Sequence, residues 1–362
     1  MKSTLVLVLF FLFGIIQPAD NYIESKNFDI NTMHRGNQAS KSPKRVYIQN
    51  FRAFFEVYEQ ASASTSKSKN DRANRTSFVS GTKTSLGVQL DGVDVPDFQK
   101  IVDEAYADLV AQLEAEGFEI ISAEEAGKTD YYSGYTKKQG GASSTAQAKG
   151  FVMVTPTNYE YWVKSVSKDG KERGTFTDTS SKLSGDLGDA YIAEATFIFP
   201  FVTLDASSSN WTNSSSVKAD IGLRLASSIN VDDNDQKSAS ITGFAKSLGN
   251  SATGSQIYHS RVRFIAGDKI NNPTFDASTG LKRDVNFEDV FEDRKIKEVT
   301  TAQVDNFSKN AYPTLVMVSG DELTLASHFA KCDSDNFIAA VTGSMNEMIQ
   351  AGLMNFKELR EK

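Results

Sequence analysis

DGVDVPDFQKIVDEAYADLVAQLEAEGFEIIS, residues 91–122, decides the fold. Phe98, Ile101, Val102, Ala105, Tyr106, Leu109, Val110 and Leu113 recur at helical spacing and form one apolar stripe. Asp97 reads as the N-cap, with Lys100 where a capping box would want an acid, so the box is half formed. Gly117 reads as the stop, because glycine enters a left-handed C-cap at little cost. Phe118 to Ile121 then reads as a short strand. A helix, a glycine stop and a strand make half of an α/β unit.

Outward from that unit, the chain alternates strands with polar connections. Val46, Ile48, Phe51, Phe54, Phe55, Val57 and Tyr58 make the first apolar segment, a strand or bent strand. Ala61 to Ser77 is polar and low in complexity and reads as a long loop. Thr84 to Leu90 reads as a strand leading into the helix. Ala123 to Tyr135 opens as a helix and ends as a loop, and Phe151 to Pro156 is a buried strand by composition. Tyr159, Tyr161 and Trp162 read as core rather than as a ligand cage. Ala190 to Leu204 is the most strand-like run, with Pro200 favouring an edge or a bulge. With the alternating Val217 to Ile229 it predicts a long antiparallel hairpin joined through a polar connection, 207–216. Gln256 to Ala266 alternates again, with His259, Arg261 and Arg263 on one face. The end reads as helical: a short acidic piece, Val285 to Phe291, then Thr300 to Ala311, Asp321 to Cys332 and Asp335 to Leu353, with a strand at Leu315 to Val318.

The expected fold class is therefore α+β (or α/β): a mixed sheet, an amphipathic helix on one face and C-terminal helices on another. The chain has 362 residues, enough for one large or two ordinary domains. Lys2 and the apolar run Leu5 to Ile16 have the form of a signal peptide, residues 1–19, with a short signal anchor as the other reading. Residues 20–44 read as a flexible leader, and 45–362 as the globular region, divisible at 45–180 and 181–362. No later apolar run is long enough for a membrane helix, so membrane insertion is not expected. The net charge of −7 argues against nucleic acid and anionic membranes as partners.

No motif assigns catalytic, cofactor-binding or metal-ligating residues. Cys332 is the sole cysteine, so no internal disulfide can form. His328 and Cys332, four apart on an expected helix beside Asp333 and Asp335, offer too few zinc ligands, and an idle thiol is the better reading. Asp232, Asp233, Asn234 and Asp235 lack the glycine and final glutamate of a calcium loop and read as an acidic turn. Gly140-Gly141 lacks the ending of a phosphate loop. His34, His259 and His328 are the available bases, and no serine sits in a nucleophile elbow. The pairs Asp103/Glu104, Glu124/Glu125 and Glu288/Asp289 read as solvated faces. Sequons stand at Asn74, Asn210, Asn213 and Asn306, at a frequency near chance.

KRVYIQNFR (44–52), DFQKIVDEAYADLVAQLEAEG (97–117) and FEIIS (118–122) together resemble the N-terminal α/β unit of the curli-secretion channel family and its periplasmic relatives. The resemblance covers about a third of the chain. It implies strand, helix and strand in that order, with further sheet strands in 190–229, and it brings no catalytic residues. No lipidated cysteine follows the apolar run, unlike the channel members, so outer-membrane anchoring is not implied. The expected function is that of an exported, non-enzymatic bacterial envelope protein, periplasmic or secreted, that binds another envelope protein or itself. The alternative is a secreted hydrolase with a carboxylate-based site. No cofactor is expected.

Overall fold

The computed structural model describes residues 22–34, 42–64, 83–173, 178–209, 214–231, 256–301 and 328–362. A short 3-10 turn, Ser25–Asn27, leads into β1, Phe28–His34. β2, Arg45–Glu56, passes after one residue into β3, Tyr58–Ser64, and β4, Lys83–Asp91, follows. Then come α1 (Val95–Ala115), β5 (Glu119–Ile120) and a one-turn α2 (Ala123–Ala126). Five short strands follow: β6 (Thr136–Gln139), β7 (Phe151–Val154), β8 (Glu160–Val163), β9 (Ser165–Val166) and β10 (Glu172–Arg173). α3 (Ser180–Asp186) precedes β11 (Tyr191–Phe199), β12 (Val202–Ser209) and β13 (Ser214–Ile221). β14 (Arg224–Leu225), β15 (Ser228–Val231), β16 (Gln256–His259), β17 (Arg261–Lys269) and β18 (Asn272–Leu281) continue the chain. β19 (Val285–Asn286), β20 (Lys295–Thr301), β21 (His328–Lys331) and α4 (Ser334–Glu361) end it. The fold is mixed α+β.

The main sheet runs β1-β18-β17-β11-β2-β5, with β7 also paired to β2. β11 and β5 lie parallel to β2, and the remaining pairs are antiparallel. β2 and β5 precede residue 180 and β11, β17 and β18 follow it, so the two halves of the chain share one sheet. One face carries α1 and α4. Phe98 of α1 stacks on Phe55 with centroids 4.3 Å apart, and Phe356 of α4 stacks on Phe264 at 4.2 Å. Tyr191 and Phe275 meet Phe356 edge-on. These rings are buried and fill the space between helices and sheet.

α1 keeps the expected stripe: Phe98, Ile101, Val102, Ala105, Leu109 and Leu113 are buried, with Tyr106 and Val110 packed at its margin. Its start differs from the sequence reading. Asp94 is the N-cap and Asp97 the N3 residue, and the two exchange hydrogen bonds: Asp97 N–H donates to Asp94 Oδ1 (3.4 Å) and Asp94 N–H to Asp97 Oδ2 (2.9 Å). Pro96 explains the shift, since proline fits the first helical turn, where its missing N–H costs nothing. The box is complete, one turn earlier than expected. Gly117 does stop the helix, at φ +78°, with Gly117 N–H to Glu114 O and Phe118 N–H to Leu113 O closing a Schellman motif. Asp94→Ala should cost about 1 kcal/mol, while Lys100→Ala stays within about 0.5 kcal/mol. Urea titration of the two variants checks this, and equal losses would count against the cap.

Several expectations are corrected. The segment 20–44 is not all leader: Phe28–His34 is β1, the edge of the main sheet, paired with β18 over its whole length. Ala61–Ser64 belongs to β3 rather than to a loop. The predicted hairpin begins later. β11 is an interior strand between β2 and β17, Pro200 ends it, and the hairpin is β12–β13. Pro200 thus separates two sheets rather than blunting an edge. Val285–Asn286 is a strand, so the acidic piece at 285–291 is not helical. His328–Lys331 is a strand parallel to β4, so the helix expected up to Cys332 is absent there. α4 is longer than expected, running from Ser334 to Glu361 with Asp333 as N-cap. The expected signal peptide (1–19), the four sequons, the acidic turn 232–235, the strand 315–318 and most of the helix 300–311 lie outside the described residues.

A second layer is built from two three-stranded sheets, β12-β13-β20 and β21-β4-β3. They pack on each other through small side chains. Thr84 Oγ1 lies 2.7 Å from Ser215 Oγ across the join, and Ala63, Leu86, Val88, Val217 and Ala219 are buried around it. The β12–β13 hairpin therefore covers its apolar face within the molecule. Among the described residues no helix is long and apolar enough to cross a membrane.

Candidate functional site

On the face of the main sheet away from α1 and α4, strand registry places two polar rows side by side. Asn50, Glu194, Arg263 and Ser278 align across β2, β11, β17 and β18. Arg52, Thr196, Arg261 and Gly280 form the next row. An apolar cluster flanks this band at each end. One holds Tyr47, Ile192, Leu183 and Tyr132, and the other Phe54, Ile198, Met153 and Phe151. Arg261 and Arg263 stand two apart on β17 and so share the face that meets the band, while Val262 and Phe264 point into the core.

Arg263 is the hub. Its Nε donates to Asp276 Oδ1 at 2.9 Å and its Nη1 to Asp178 Oδ2 at 2.7 Å, with Glu194 Oε2 3.8 Å away. Arg261 Nη2 donates to Glu194 Oε2 at 3.0 Å, and Ser180 Oγ to Glu194 Oε1 at 3.1 Å. Burial opposes the Arg263 charge, but Asp276, Glu194 and Asp178 outweigh it and hold the guanidinium ionised. Burial pushes the Asp178 carboxyl up, yet Arg263 outweighs it and the group lies below its ordinary range.

Arg52 joins this band to a second cluster. Its Nη1 lies 3.9 Å from Glu172 Oε2, and Asn50 accepts from its Nε. Glu172 is buried, and its Oε1 accepts from Lys138 Nζ and Tyr161 OH, each at 2.8 Å. Burial raises the Tyr161 phenol, and Glu172 raises it further. Tyr159 and Tyr161 are buried and stacked at 5.4 Å, which places the aromatic cluster in the core.

A further cleft of about 450 Å³ lies beside β13 and β19. Asp220, Asp284, Glu288, Asp289, Arg224 and Arg294 line it. Arg224 stands 3.6 Å from Asp284, and Arg294 3.4 Å from Asp289. Glu56, whose carboxyl burial pushes up to about 8, does not line the cleft. Its Oε2 accepts the Phe201 and Val202 N–H groups at 2.8 and 3.1 Å.

His34, His259 and His328 belong to three different sheets. Burial and Arg261 lower the His259 pKa. Among the described residues no group of three His, Cys, Asp or Glu is placed to hold a metal ion. Cys332 is buried, and burial pushes its thiol up to about 11. The acid pairs are not simply solvated. Asp103 accepts from Thr157 N–H (2.6 Å) and Oγ1 (2.8 Å), tying α1 to the loop after β7, and Glu125 pairs with Arg45. Sequence reasoning missed Glu56, Glu172, Glu194 and Asp178. The alternation at Arg261 and Arg263 was a usable signal for the band, but their acidic partners lie on other strands and at the start of α3.

The remaining feature is β1 itself. It pairs with β18 on one side, and among the described residues no strand pairs with its other side. Ile30 on it is 57% exposed. Searches against protein-family models, curated proteins and solved structures find no match for the chain.

Proposed function

We propose that this chain is an exported, non-enzymatic protein of the bacterial envelope, periplasmic or secreted, that works by binding another protein or by assembling with itself. The observation that carries this reading is the open edge of β1. A sheet edge offers unpaired N–H and C=O groups to a further strand, and natural proteins usually blunt such edges with lysine, proline or a bulge. Phe28–His34 contains neither residue, and its pairing with β18 runs in unbroken register. The apolar run Leu5 to Ile16 supports export. The resemblance of residues 44–52 and 97–122 to the α/β unit of envelope secretion proteins supports the location.

Native mass measurement of the protein taken from its own source tests the reading. The expected result is a chain beginning near Asp20, recovered as a complex with an envelope protein or as a multiple of its own mass. A lone monomer with Met1 intact in a cytosolic fraction would sink it. The hydrolase alternative would draw on Asp284 and Glu288 of the cleft, and hydrolysis lost in Asp284→Asn at unchanged stability would favour it.

A further inference from the structure

We propose that the partner of β1 is β1 of a second copy, joined antiparallel about a two-fold axis at Asn31. This rests on the protein-binding reading above and names the occupant of its edge.

Strand geometry restricts the registers. Along a strand, alternate residues turn their N–H and C=O groups to one side, so the outward set has a single parity. Two identical edges can therefore pair only residues of the same parity. The register centred on Asn31 satisfies this and uses the whole strand. It sets Phe28 opposite His34, Asp29 opposite Met33, Ile30 opposite Thr32, and Asn31 opposite itself. Shifting the axis by one residue, to Ile30 or Thr32, leaves two of the seven residues in each copy unpaired at one end of the strand, so the centred register keeps the longest ladder.

Side-chain chemistry favours the same register. Asp29 is the one acidic residue in the strand, and here it faces Met33 of the other copy rather than its own equivalent. Like charges directly opposite would oppose pairing, and none arise. The two Ile30 side chains become diagonal neighbours across the axis, each beside Thr32 of the other copy. That covers the large apolar side chain the monomer leaves 57% exposed. Same-parity pairing also puts equivalent sheet faces on one side, so both α4 helices lie on the same side of a sheet continuous through the axis. Such an isologous edge contact closes after two copies and does not propagate. A seven-residue edge falls short of the roughly 1,000 Å² that marks a firm interface, so the dimer is concentration dependent.

Sedimentation velocity of the full mature chain over a wide concentration range, with cysteine cross-linking, tests this. The wild type is expected to pass from monomer to dimer. Ile30→Lys, at an exposed site, is expected to stay monomeric with an unchanged melting curve. Under mild oxidant Asn31→Cys is expected to give a covalent dimer, because the two positions face each other across the axis. Asp29→Cys is expected to give at least tenfold less, because those positions are four residues apart along the strands, and the native Cys332 is buried. A wild type monomeric at every concentration overturns the proposal, as does equal cross-linking at positions 29 and 31. If the monomer nevertheless captures an envelope protein and Ile30→Lys abolishes that capture, the self-pairing falls and the protein-binding reading stands.

Discussion

Replacing Arg263 with methionine is expected to cost about 3–5 kcal/mol at pH 7, although the two side chains are similar in length. The Arg263 side chain is only 10% exposed and serves Asp276, Asp178 and Glu194 together. Methionine would fill much of the volume but leave three carboxylates facing one another, with Arg261 holding only Glu194. An unpaired buried charge costs more than the pair itself contributes. The sign of the pH effect follows from Asp178. Its folded pKa lies below the ordinary value of 3.8, so its contribution is present above that value and lost as pH falls through the folded one. The penalty in Arg263→Met should therefore shrink in acid, where the stranded carboxylates take up protons. Arg263→Lys should recover only part, because an ammonium cannot bridge Asp276 with two parallel bonds. Denaturant titration at pH 7 and pH 3 measures all of this. A loss below 1 kcal/mol at pH 7 would mean that solvent already screens the band.

Glu56→Gln is expected to stabilise the protein above neutral pH, against the usual direction of a core substitution. Burial pushes the Glu56 carboxyl up to about 8, with Glu59 adding to the shift and Arg224 and the Phe201 and Val202 amides opposing it. The folded chain then keeps a proton that the unfolded chain releases near its ordinary value of 4.5. Stability is greatest below that value, falls as pH rises towards 8, and is level beyond. At 1.36 kcal/mol per unit the fall is on the order of 5 kcal/mol. Glutamine keeps an oxygen for the two amides and cannot titrate. Its stability should be level over this window and exceed that of the wild type at pH 9. Parallel, superimposable pH curves for the two proteins would overturn the assignment of a protonated Glu56.

Both residues show what the sequence could and could not convey. The stripe of α1 was legible because a helix repeats its buried positions every three or four residues, and the side chains that obey this are all apolar. α4 was legible for the same reason. β1 was not, because Asp29 to Thr32 are exposed on both faces and no alternation marks them. β21 carries no strand signal of its own, because a four-residue strand is too short to set a period against the helix that follows. The charges of β17 were visible as an alternating face. Their partners were not, since Asp178 and Asp276 reach Arg263 only through the order of strands in the sheet, which local pattern does not contain. Glu56 was lost among the many acids of the chain, and only its position below the Pro200 break distinguishes it.

That break has a mechanical consequence. β2 and β11 are neighbours and parallel, paired as far as Phe55 and Phe199, and each passes directly into the second layer as β3 and β12. Two of the chain's links between that layer and the main sheet are thus adjacent covalent lines that leave in the same direction. A pull on that layer travels along the strand axes, where the whole ladder of bonds between neighbouring strands resists together, rather than opening one bond at a time from an end. Gly150 reinforces the root of this suspension. Its carbonyl accepts from Val57 and Tyr58 N–H, and at φ +80° a side chain there would sit 2.2 Å from the Tyr58 carbonyl oxygen. Along these two links a load borne by the outer sheets therefore enters the aromatic core through paired strands, where Phe55 stacks on Phe199.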